Sequence, residues 1–91
     1  MEKLIVTRHK ALVQVLKEDF GIEGEVVEHA TAEQLEGRDV VGILPIYLAS
    51  LTNTVTVLEL SVPPELRGAE LSVEDVRKYM GKPKTYRVEE I

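Results

Sequence analysis

The feature that most constrains this chain is a repeated change of hydrophobic period, from short β-branched runs to helical spacing and back. Lys3 to Thr7 (KLIVT) is a short apolar strand pattern. Directly after it, Leu12, Val15, Leu16 and Phe20 recur at helical spacing, with Gln14, Lys17, Glu18 and Asp19 on the opposite side. Gly21 stands where a helix C′ glycine belongs. A second strand is expected from Gly24 to Glu28, ending at His29. Thr31-Ala32-Glu33-Gln34 reads as a capping box opening a short helix that ends at Gly37. Asp39 to Leu44 (DVVGIL) is a third strand, and Pro45 suits the first position of a helix through Ile46, Tyr47, Leu48, Ala49 and Leu51. Asn53 fits the following turn. Thr54 to Leu60 (TVTVLEL) is the fourth strand. Pro63-Pro64 then opens a loop through Arg67-Gly68. Ser72 caps a last helix, with Asp75 at its third position and Val73, Val76 and Met80 facing inward. Tyr86 to Val88 is read as a short closing strand.

Strands alternating with helices imply right-handed βαβ units on a mostly parallel sheet. The expected fold is therefore α/β: a minimal Rossmann-like layer of order 2-1-3-4, with the last strand at an edge. The 91 residues suit a single domain, residues 1–91. A domain this small is marginal alone, so a homodimer is the expectation. With no cysteine, disulfides and thiolate metal sites are excluded. No apolar run reaches the length of a membrane span, and MEKLIVT does not resemble a signal peptide, so no membrane partner and a cytoplasmic location are expected. The net charge of −5 argues against coating duplex nucleic acid but leaves room for a small anion held by local cations.

Open parallel sheets take ligands beyond the carboxyl ends of their strands, where the strand order reverses. In a 2-1-3-4 order that crevice lies between strands one and three. It would collect Thr7, Arg8 and His9 on one side and Leu44, Pro45 and Ile46 on the other. His29 and Ser61 would share its rim, and the PPELRG loop follows Ser61. A guanidinium fork, a hydroxyl, imidazoles and helix N-termini all suit a phosphate. Glycine-rich nucleotide loops of the GxGxxG or GxxxxGK[ST] type are absent from the sequence, so no cofactor is expected, and the acidic pairs lack metal-ligand spacing. Plainer readings stand beside these. Thr7 can simply cap a helix, Arg8 and His9 can be solvated, His29 can be a surface residue, Tyr47 can be half-buried core or a dimer contact, and Arg67-Gly68 can merely hold a turn.

The segments IVTRHKALVQVLKEDFGI, DVVGILPIYLASLTN and LELSVPPELRGAELSVEDV, with the closing Tyr86-Arg87-Val88, resemble one family: the small CRISPR-associated ring nucleases of the Csx group, which accompany type III systems. The resemblance implies a CARF-like Rossmann fold, a homodimer and a cyclic oligoadenylate ligand, with cyclic tetra-adenylate the expected ring. It implies metal-independent cleavage to products ending in 2′,3′-cyclic phosphate, which would switch off type III antiviral signalling. The family motif falls on Thr7, Arg8, His9, Gly42, Leu44, Pro45, Arg67 and Gly68. Arg8, His9 and Tyr47 are then the expected catalytic residues. Thr7, His29, Gly42, Leu44, Pro45, Ser61 and Arg67 are the expected ligand contacts. Tyr47 departs from the pattern, because many relatives carry a histidine there. Two other readings are a sensor or sponge that holds the ring intact, and an interaction module pairing with a CRISPR effector.

Overall fold

The computed structural model describes residues 3–91. Five strands form one sheet of order β2-β1-β3-β4-β5. They are β1 (Lys3–Val6), β2 (Gly24–Val27), β3 (Asp39–Gly42), β4 (Thr54–Leu60) and β5 (Met80–Tyr86). β1 pairs in parallel with β2 on one side and β3 on the other, β3 pairs in parallel with β4, and β5 runs antiparallel to β4. The helices are α1 (Lys10–Phe20), α2 (Ala32–Leu35), α3 (Ile46–Ala49) and α4 (Val73–Tyr79), with a short 3-10 turn at Pro64–Leu66. The fold is the expected α/β type, a mostly parallel sheet flanked by short helices, with the last strand at an edge.

Strand alternation sends successive side chains to opposite faces, and both faces are covered. Ile5 and Val41 pack with Leu16 of α1 and Leu58 of β4 on one face. Their neighbours Leu4 and Val40 pack with Leu35 of α2 on the other, where Leu44 and Leu48 join them. Val15 carries the first face outward to Leu71 and Val76, docking α4 onto α1. Burying a leucine such as Leu16 contributes about 2–3 kcal/mol. Phe20 has helical spacing but sits at the last residue of α1, 36% exposed.

Local chemistry sets the element ends. Gly21 takes the left-handed conformation, φ 65°, and its N–H donates back to the final turn of α1. Both capping boxes form, Thr31 with Gln34 on α2 and Ser72 with Asp75 on α4. The Asp39 carboxylate accepts from Asn53 Nδ2 and Thr54 Oγ1, each at 2.7 Å, which ties the start of β3 to the start of β4. These bonds, led by that from Thr54, hold the Asp39 carboxyl below its usual range.

The end of the chain differs from expectation. Met80 opens β5 instead of closing the last helix, and that strand covers Met80–Tyr86, not Tyr86–Val88. Gly81 and Pro83 read as strand breakers, but an edge strand tolerates both. Lys82 and Lys84 flank Pro83 on this outer strand. Strands one to three also stop earlier than expected, and α3 is a single turn.

Arg77 of α4 fastens to α1 through Asp19 (2.8 and 3.0 Å) and Glu18 (2.9 Å). Hydrogen bonding to Arg77 holds the Asp19 carboxyl below its ordinary value of 3.8. The unfolded chain therefore takes up the proton first as pH falls. The contribution is fully present above the ordinary value and is lost as pH drops through the lower folded one. Urea midpoints of wild type and Asp19→Asn should differ by a small constant amount from pH 7 to about 5 and converge in stronger acid. A difference that persists unchanged into acid would remove this linkage.

Candidate functional site

The turn after β1 begins with a continued ladder: Thr7 N–H donates to the Val27 carbonyl at 3.0 Å. Thr7 Oγ1 accepts from His9 N–H at 3.1 Å, which bends the chain toward α1. His9, in extended conformation, is the residue before the helix, and no side chain caps it. Thr7 therefore shapes the turn instead of capping the helix. The first turn of α1 holds no acidic residue, while Arg8, His9 and Lys10 crowd the positive end of the helix dipole. The Arg8 and Lys10 charges each cost roughly 0.3–1 kcal/mol there, a cost that an arriving anion would reverse.

Opposite this turn, β3 ends at Gly42 and Pro45 leads into α3. The Pro45 carbonyl accepts from Leu48 N–H (3.0 Å) and Ala49 N–H (2.9 Å). Gly42 has φ 146°, and a Cβ there would collide with the carbonyl oxygen of Val6 on β1. Only glycine lets β1 and β3 approach this closely where the crevice opens.

A cleft of about 630 Å³ fills the switch point between these two strands. Small-ligand clefts span about 300–1,000 Å³. Thr7, Arg8, His9, His29, Gly42, Leu44 and Pro45 all line it, so seven of the expected site residues converge. Its floor is apolar, built by Val6, Leu12, Leu48 and Leu58, which suits a flat base or another apolar group. The cleft also takes in Glu28, Ala30 and Ile43, which sequence reasoning did not single out. Glu28 sits one residue past the Val6–Val27 pair, so the parallel register was the signal that could have found it.

Three expected residues stay outside the cleft. Tyr47, on α3, is 70% exposed and does not line it. Ser61 is exposed, and its N–H donates to the Tyr79 carbonyl at 3.0 Å, tying the end of β4 to α4. Arg67 is also exposed, and its N–H closes the 3-10 turn on Pro64 at 3.2 Å. The loop does return toward the site. Gly68 to Leu71 line a second groove of about 320 Å³ whose other wall is Arg8, His9 and Lys10. Among the described residues, no group of three His, Cys, Asp or Glu side chains could hold a metal, and no helix is long and apolar enough to cross a membrane.

The family model described as "Putative CRISPR-associated protein (Cas_VVA1548)" matches residues 4–89. The chain belongs to that family of CRISPR-associated proteins. No curated protein and no solved structure matches it.

Gly42→Ala should destabilise the fold by about 1–3 kcal/mol from backbone strain, with the overlap on Val6 adding to it. Thermal or urea unfolding reads this directly. An unchanged midpoint would show that the two strands can part at no cost.

Proposed function

We propose that this protein binds a cyclic oligoadenylate in the β1–β3 cleft and linearises it, ending a type III CRISPR signal. One observation carries the reading. In a chain of a CRISPR-associated family, Arg8, His9, Thr7 and His29 line a single cleft at the topological switch point, against the Gly42–Pro45 segment.

The chemistry needs little from the protein. The ligand brings its own nucleophile, a ribose 2′-hydroxyl next to each phosphodiester. In-line attack of that oxygen on phosphorus expels the 5′-oxygen of the next nucleotide and leaves a 2′,3′-cyclic phosphate. Alignment can supply up to about 7–11 kcal/mol of the barrier, and one charge donor about 3–4 kcal/mol more. Arg8 is assigned to the charge that builds on the phosphoryl oxygens, where its planar fork fits. His9 is assigned to proton transfer, as base for the 2′-hydroxyl or acid for the leaving oxygen, with His29 as the second carrier. Thr7 holds the turn that aims both, and the uncapped start of α1 faces a neighbouring phosphate.

A ring with two-fold symmetry suits a two-fold pair of chains. Ile43 on the wall of the cleft and Ile46 and Tyr47 just after it are 78%, 76% and 70% exposed, and they support a homodimer through this face. In such a pair Tyr47 would act on the partner's side. Ile46→Asp should shift the sedimentation of a dimer toward monomer. An unmoved coefficient in a dimeric protein would place the contact elsewhere.

A second reading, in which the ring is bound but not cut, draws support from Tyr47 lying outside the cleft of one chain. Chromatography of cyclic tetra-adenylate incubated with the protein in EDTA separates the two. Linear products ending in 2′,3′-cyclic phosphate are expected. Arg8→Ala should lower the cleavage rate by about two to three orders of magnitude, with an unchanged circular dichroism spectrum. Intact ligand recovered from a tight complex would establish the second reading, and an unaffected rate in Arg8→Ala would remove that residue from the mechanism.

A further inference from the structure

We propose that Glu28 is a specificity residue that accepts a hydrogen bond from a ribose 2′-hydroxyl, so that the cleft takes ribonucleotides in preference to deoxyribonucleotides. The inference rests on the nucleotide reading of the cleft given above and assigns a role that reading leaves open. Glu28 lines the same cleft as Arg8, His9 and His29, yet a carboxylate is the wrong group to meet a phosphate. The ion pairs among the described residues belong to Arg77, so no side chain of the cleft neutralises Glu28. An ionised carboxylate only accepts hydrogen bonds. Its partner on a nucleotide must therefore be a donor: a sugar hydroxyl or a base amine.

Position selects the sugar. Glu28 leaves the carboxyl end of β2, one residue beyond Val27, and the Thr7–Val27 bond holds the two strands together up to that point. It stands twenty residues after Arg8, on the strand neighbouring the one that carries the phosphate-facing turn. In dinucleotide-binding Rossmann units an acidic side chain about 20 residues beyond a glycine-rich first turn reaches the ribose; this chain has the spacing without the glycine-rich turn. The constraint is geometric. A cyclic oligonucleotide alternates phosphate and sugar, so a phosphate at the end of β1 has a sugar on each side of it, one toward β3 and one toward the end of β2.

The two roles open to Glu28 predict opposite signs. A carboxylate that merely sits near the ligand repels a polyanion, and removing it should tighten binding. A carboxylate bonded to the 2′-hydroxyl should, when removed, weaken binding of the ribose ligand and leave the deoxy ligand no weaker. The experiment measures dissociation constants of wild type, Glu28→Ala and Glu28→Gln, from binding and release rates recorded before turnover, for cyclic tetra-adenylate and for its 2′-deoxy counterpart. A charge-assisted bond corresponds to roughly ten- to hundred-fold in affinity. Wild type should favour the ribose ring by about that factor, Glu28→Ala should abolish the preference, and Glu28→Gln should retain part of it. Equal weakening of both ligands in Glu28→Ala, tighter ribose binding, or a preference that survives would each overturn the assignment. If wild type holds the ribose ring and Glu28→Ala does so with the same preference, only the role of Glu28 falls. If wild type binds neither ring, the nucleotide reading falls and takes this one with it.

Discussion

The parallel pairing of β1 with β3, strands that are not consecutive in the chain, is the contact the site depends on. The chain leaves β1 through α1 to reach β2, and later returns through α2 to lie along the other flank of β1. Helices therefore diverge from the carboxyl ends of β1 and β3, and no connection covers the gap between them. The pairing also demands Gly42, because the Val6 carbonyl occupies the space a side chain would need. The apolar floor, the cationic turn and the end of β3 are brought together by this arrangement. Changing the identity of Arg8 or His9 would alter what the cleft can do, but moving β3 away from β1 would remove the cleft.

The stability of the scaffold and the chemistry of the site come from different ends of the strands. Leu4, Ile5, Val40 and Val41 occupy the middle of β1 and β3, and each sends its side chain into a closed core. Two residues further on, the same strands carry groups that face solvent. The unfavourable meeting of Arg8, His9 and Lys10 with the start of α1 is tolerable because Val15 and Leu16, a turn and more downstream, fix the helix by burial. Local electrostatic conflict thus survives on a helix whose placement is decided elsewhere.

Much of this architecture is legible in the sequence. The change of period at Thr7 marked the strand-to-helix turn, and the two capping boxes marked helix starts to the residue. The order of the parallel strands followed from fold-level rules, not from any particular residue. What sequence reasoning missed was tertiary in origin. β5 escaped because Gly81 and Pro83 look like interruptions, and only the antiparallel partner β4 makes Met80–Tyr86 a strand. Glu28 escaped because its significance lies in register with β1, which a linear reading does not supply. Tyr47 presents the reverse case. Its spacing suggests half-buried core or a dimer contact and the family resemblance a catalytic role, but a helix of one turn gives it no fixed inward face, and it is largely exposed.

The outer strands bear on how this molecule behaves in a crowd of its own kind. At one margin the sheet finishes with the brief β2, which carries Glu25. At the other it finishes with β5, where Pro83 lacks a donor and lysines stand on either side of it. Growth of the sheet from one molecule to the next is thereby discouraged at both margins. Fibres built by strand addition have no ready template here, even at high concentration. The surfaces left for association are the helical faces and the tips of the strands, and the tips are where the cleft opens.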